Sequence, residues 1–175
     1  MAIYQFNLEV IPKIGLQKKY GVIPEKMEVS IETGCFESST DEYWKLSNIT
    51  FEEIKQDIDK IIDVANWGND EECFNWKTYT DELDNDAWMS IDATTKKVVE
   101  LSFRADLREN NLTFLQEMVN LARKYDLLFI DRKGNLVKPE LDELKKYIKA
   151  SNSYKFLENP TQFLKDLQER KIPLE

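Results

Sequence analysis

The sequence predicts a single α+β domain over residues 1–175, a mainly antiparallel sheet with helices packed on it. Three observations carry that expectation. Apolar and polar residues alternate in IYQFNLEVI near the start and in VVELSFR near residue 100, which is the period of half-buried strands. Apolar residues at helical spacing separate those runs, and beyond Pro139 only helical spacing recurs.

In chain order, residues 3–11 read as a strand with Tyr4, Phe6, Leu8 and Val10 on one face. Residues 12–49 are less regular, with one short strand at 27–32. Thr50 and Glu53 form a capping-box pattern, and Phe51, Ile54, Ile58, Ile61, Ile62 and Ala65 follow at helical spacing until Gly68 offers a stop. Three strand-like runs cover 73–80, 86–92 and 97–104. A second helix spans 111–125, carrying Leu112, Leu115, Met118, Val119, Ala122 and Tyr125 on one stripe.

LLFI, 127–130, reads as a buried strand, and DRKGN, 131–135, as a turn into a short return strand, with Gly134 taking the positive φ. Pro139 opens a helix with Leu141, Leu144 and Ile148. Asn159 and Pro160 cap and start a last one with Phe163, Leu164 and Leu167. The order strand, helix, strands, helix, strand predicts a βαββαβ, ferredoxin-like core with extra C-terminal helices.

Composition narrows the function. Of 175 residues, 42% are hydrophobic, with four Trp, seven Tyr and nine Phe against only five Gly and five Pro, as expected of a chain with a packed core. No run approaches the ~20 apolar residues that cross a bilayer, and MAIYQFNLEV lacks the basic start and apolar core of a signal peptide, so the expected location is the cytoplasm. There is no histidine, which excludes Ser–His and Cys–His nucleophile systems within the chain. Cys35 and Cys73 are too few for a zinc site and read as buried free thiols. No GxGxxG or GxxxxGK[ST] loop is present.

The net charge of −9 is uneven: residues 1–100 carry −11 and residues 101–175 carry +2. Such a field repels nucleic acid and anionic membranes and speeds encounter with cationic proteins. Its densest part is NDEECFNWKTYTDELDNDAWM, 69–89, with seven carboxylates, one lysine, two Trp, one Phe and one Tyr. As a calcium loop this segment fails, because no start position puts glycine sixth. Cys73 sits among Glu71, Glu72 and Phe74, a setting that raises a thiol pKa and suits packing better than catalysis. Trp44, Trp67, Trp76 and Trp88 suit core edges as well as a pocket; on alternation, Trp76 points to the core and Trp88 either way.

What this pattern fits is a protein-binding face, with aromatic anchors and a charged rim. The candidate residues are Asp70, Glu71, Glu72, Asp81, Glu82, Asp84 and Asp86, with Tyr79 and Trp88 as anchors. A second candidate face is ETGCFESSTDE, with Glu32, Glu37, Asp41 and Glu42. No residue pattern marks a catalytic or metal site, so no cofactor is expected and the chain is read as a non-enzyme.

The segment VVELSFRADLRENNLTFLQEMVNLARKYDLLFIDRKGNLVKP, with the following Asn159–Pro160 helix, resembles small bacterial immunity proteins of polymorphic toxins and contact-dependent growth inhibition systems. The likeness spans about residues 97–168 and lies in element order and hydrophobic pattern, so no site residue transfers from it. It implies a cytoplasmic inhibitor of one cognate toxin, commonly a nuclease with a basic groove, which it would block. Two rivals stand beside it: an acidic DNA mimic, which would spread carboxylates over a longer surface, and a carboxylate-based enzyme, which would converge acids in a pocket.

Overall fold

The computed structural model describes residues 3–29, 40–78 and 80–172. Among these residues six strands form one sheet: β1 (Gln5–Pro12), β2 (Cys73–Lys77), β3 (Asp86–Ile91), β4 (Val98–Asp106), β5 (Leu127–Ile130) and β6 (Leu136–Val137). Their order is β2-β3-β4-β1-β5-β6, and every neighbouring pair is antiparallel.

The helices are α1 (Lys13–Tyr20), α2 (Asp41–Lys45), α3 (Phe51–Ile61), α4 (Thr113–Lys124), α5 (Leu141–Ala150), α6 (Asn152–Glu158) and α7 (Pro160–Gln168). The expected βαββαβ core is present within this set. Because β4 is antiparallel to both β1 and β3, the latter two run parallel with β4 between them, and α3 lies on the connection that joins them. By the same reasoning β4 and β5 run parallel around β1, joined through α4. β2 and β6 are additions at the two edges.

Register divides the sheet into two faces. Leu8 lies opposite Phe103 and Met89 opposite Leu101, and these side chains share one core with Ile54 and Ile58 of α3, Leu115, Met118 and Val119 of α4, and Leu144 of α5. Phe103 meets Phe114 and Phe129 edge-on, with ring centroids 5.9 and 5.5 Å apart. On the other face a smaller apolar group, Ile11, Leu16, Tyr43, Leu128 and Ile130, lies under α1 and α2. Gly15 allows those two helices to touch: a Cβ there would stand 2.3 Å from the carbonyl oxygen of Tyr43.

Several boundaries differ from expectation for local reasons. The helical spacing of Ile62 and Ala65 runs on past Ile61, but Ile62 turns extended, and residues 63–65 lie along the edge of β2 instead. Both residues are still buried. The capping box at the other end of α3 is formed, with Thr50 Oγ1 donating to Glu53 at 2.7 Å. Of the expected strand at 27–32, residues 27–29 form no ladder among the described residues, though Val29 makes a single bridge; Lys26 makes an isolated bridge to Asn135, and 30–32 lie outside the described residues. Gly134 takes φ +82 as expected.

Both sheet edges are covered. On β2 the outward N–H groups of Cys73, Asn75 and Lys77 donate to Asp70, to Asn69 and to the carbonyl of Asp63. At β6, Leu136 N–H donates to the carbonyl of Glu25, and Met27 N–H to that of Gly134. The edges are therefore closed to strand addition by a partner.

Candidate functional site

The acidic span 69–89 folds as a turn, the edge strand β2, a loop and β3. Strand alternation sorts its aromatics. Phe74 and Trp76 face the helix side, where Phe74 stacks on Phe51 at 5.8 Å and Trp76 Nε1 donates to Asp59 at 2.8 Å. Trp76 is 1% exposed, as alternation predicted. Trp88 faces the other way, half-buried, between Asn75 and Ser102 on the neighbouring strands. Tyr79 lies outside the described residues, as do Glu32 and Glu37 of the second candidate face.

The seven carboxylates do not form one face. Asp86 is 8% exposed, takes an ion pair from Arg104 Nε at 2.7 Å and accepts from Gln5 Nε2 at 3.0 Å. Asp84 is paired with Lys77. Both carboxylates are thus engaged by cations of the fold itself. Asp70 builds the turn into β2, its Oδ1 accepting the N–H groups of Glu72 and Cys73 at 2.8 and 2.7 Å. Glu71, Glu72, Asp81 and Glu82 remain: all four are exposed and have no ion pair among the described residues.

These four sit in two pairs at opposite ends of the β2–β3 hairpin. A strand the length of β2 holds them roughly 13 Å apart. In the second candidate face, Asp41 pairs with Lys45 and Glu42 with Lys19, so the described part of that face carries little unbalanced charge.

One anchor escaped the sequence reading. Trp67 is 54% exposed and Val64 49%, both on the loop between α3 and β2. That loop is fastened to β2: Ala65 N–H donates to the carbonyl of Asn75 at 2.8 Å, Lys77 N–H to that of Asp63 at 2.9 Å, and Asn75 N–H to Asn69 Oδ1 at 2.7 Å. Asn69 Nδ2 also holds the Trp67 carbonyl at 3.1 Å. Trp67 is thus an exposed indole on a pinned loop, beside the turn that carries Glu71 and Glu72. The available signal was the WGND sequence itself, a tryptophan in a turn-forming stretch after the last apolar helical position.

A second pair of acids was also missed, because each occupies an ordinary polar position on an alternating strand. Glu9 lies opposite Ser102, and Glu100 is two residues along β4 on the same face. Burial, together with the Glu100 charge, pushes the Glu9 carboxyl up to about 7, and burial raises Glu100. The cavity found at the start of β1 is lined by neither of them. Burial, Asp70 and Glu72 push the Cys73 thiol up, against a role as a nucleophile, and the thiol is only half-buried where full burial was expected.

No cluster of metal-ligating side chains occurs among the described residues, and none of their helices is long and apolar enough to cross a membrane. No family model, curated protein or solved structure matches the chain at a significant level.

Proposed function

We propose that the chain is an acidic protein-binding inhibitor of the immunity type, which neutralises a cognate toxin with a basic surface by covering it. The observation that carries the reading is Trp67, exposed on a pinned loop that leads directly into the turn carrying Glu71 and Glu72, both exposed and with no ion pair among the described residues. Interfaces concentrate their energy in rigid aromatic anchors within a rim that excludes water, and unpaired rim charges steer the approach of an oppositely charged partner. Because the loop is already fastened to β2, little conformational freedom is lost there on docking. Asp81 and Glu82, at the far end of the hairpin, extend the attraction without sharing the anchor.

A carboxylate-based enzyme would place its perturbed acids in a cavity, whereas neither Glu9 nor Glu100 lines the cavity at the start of β1. A DNA mimic would spread its acids in a regular row; within residues 69–89 the acids with no ion pair among the described residues fall into two separate pairs.

The experiment begins with the gene directly upstream: where it encodes a secreted protein with a toxic C-terminal domain, that domain is co-expressed with the chain. Wild type should restore growth, Trp67→Ala combined with Glu71→Lys and Glu72→Lys should not, and Lys145→Glu on α5 should behave as wild type. Equal protection by the triple variant would overturn the assignment of this surface.

A further inference from the structure

The turn that carries Trp67 is set by side chains. Backbone bonds tie Ala65 N–H to the Asn75 carbonyl at 2.8 Å and Asp70 N–H to the Cys73 carbonyl at 3.0 Å, and these bracket residues 66–69. Between the two ties Asn69 reaches in three directions. Its Nδ2 donates to the Ala65 carbonyl at 2.5 Å and to the Trp67 carbonyl at 3.1 Å, while its Oδ1 accepts the Asn75 N–H at 2.7 Å. One short side chain thereby joins the backbone before and at Trp67 to the edge strand. Asparagine suits the task because its amide holds two donors and an acceptor on one stem. Asn75 Nδ2 adds a contact to the Gly68 carbonyl, and Gly68 takes φ +67, which glycine adopts without strain.

Trp67 is 54% exposed on this frame. The β2 edge beside it is already paired, so a partner adds no strand there and must read side chains. What the surface offers is one large indole and, at the next turn, the acids Glu71 and Glu72. Their complement is an apolar pocket wide enough for an indole, with a lysine or arginine at its rim.

We propose that Asn69 is the positioning residue of this surface: it sets the backbone from which Trp67 projects, and the partner receives the indole in an apolar pocket with a basic rim. A loose turn would bind only through the fraction of molecules whose indole is correctly placed, and affinity would fall by that fraction.

This assignment rests on the inhibitor reading, but the free chain already tests the positioning. Backbone order parameters of Trp67 and Gly68 from NMR relaxation should lie near about 0.85 in wild type and fall below about 0.6 in Asn69→Ala, with β2 unchanged. Asn69 is exposed, so alanine leaves the core as it is. Against the toxic domain used for co-expression, Asn69→Ala should raise Kd about tenfold, and the same change should have no effect once Trp67 is alanine. Unchanged order parameters, or an Asn69→Ala effect of equal size with and without Trp67, overturns the positioning role. Binding at wild-type strength by Trp67→Ala overturns the inhibitor surface instead, and leaves the result on the free chain standing.

Discussion

The backbone N–H of Asp84 donates to Oδ2 of Asp106 at 2.8 Å, so the acidic β2–β3 loop is tied to the end of β4 by a carboxylate whose own side chain has no exposed surface. Asn85 strengthens the tie, its Oδ1 accepting from Asp106 N–H at 2.7 Å. Arg108 closes the network with an Nη2 contact of 2.6 Å to Asp106, and its guanidinium lies 3.6 Å from the Tyr4 ring centroid. Burial works against the charged form of Asp106, but Arg108 and the backbone donors hold its carboxyl below the usual range.

Asp106→Ala should therefore destabilise the protein by about 2–3 kcal/mol, somewhat less than a wholly enclosed pair because Arg108 keeps a third of its side chain exposed. Chemical denaturation at pH 7 reads the loss. Since the folded-state pKa is depressed, the contribution is present above the ordinary aspartate range and fades as pH falls through the lowered value. The wild-type advantage over the variant should shrink on the acid side.

Glu9 has the opposite sign. Its carboxyl is raised from 4.5 to about 7, so the fold favours the protonated form, and ionising it costs stability as pH rises through that window. Glu9→Gln should match wild type below about pH 4.5 and exceed it above pH 7 by about 2 kcal/mol, less than the full shift implies because solvent screens a half-buried group, or roughly 4–8 °C in Tm. Melting curves across that pH range check both the sign and the plateau.

Gly15→Ala tests the contact between α1 and α2. Alanine suits a helix better than glycine, yet its Cβ would fall 2.3 Å from the Tyr43 carbonyl oxygen and 2.6 Å from the Tyr43 Cα. The backbone clash should win, at a cost of about 1–3 kcal/mol in urea unfolding.

Asp57 joins the two crossover helices. Its Oδ2 accepts the Tyr125 hydroxyl at 2.7 Å just past α4, and it pairs with Lys124 and with Lys60. Contacts with Lys124, Lys60 and Tyr125, in that order, hold its carboxyl well below the usual range. Tyr125→Phe removes one hydrogen bond and should cost about 1 kcal/mol in the same assay.

The sequence made the core legible wherever a local rule and the tertiary context agree. β1 and β4 alternate because one face meets the main core under α3, α4 and α5 while the other is covered only in part, by the short α1 and α2. Thr50 and Glu53, Gly134, and Asn159 with Pro160 act as the cap, turn and helix start that their chemistry suggests. α1 was hidden because KIGLQKKY has no apolar stripe; Leu16 and the Gly15 contact with Tyr43 hold it in place.

The site was less legible for a geometric reason. Residues adjacent in sequence separate along an extended strand, so the acidic span became two ends of a hairpin. Its centre was drawn into pairs with Lys77 and Arg104 that only folding creates. Trp67 was passed over because the same stretch serves as the exit from a helix.

The proposed inhibitor surface is tested most directly by the association rate of the full chain with the basic toxin domain proposed as its partner, measured by stopped flow at low and high salt. Wild type should associate fast at low salt and slow steeply as salt rises. Glu71→Lys with Glu72→Lys should lower the low-salt rate at least about tenfold and flatten the salt dependence. Trp67→Ala should leave the association rate near wild type and speed dissociation. Indistinguishable rates and salt slopes for wild type and the charge-reversed chain would contradict the account.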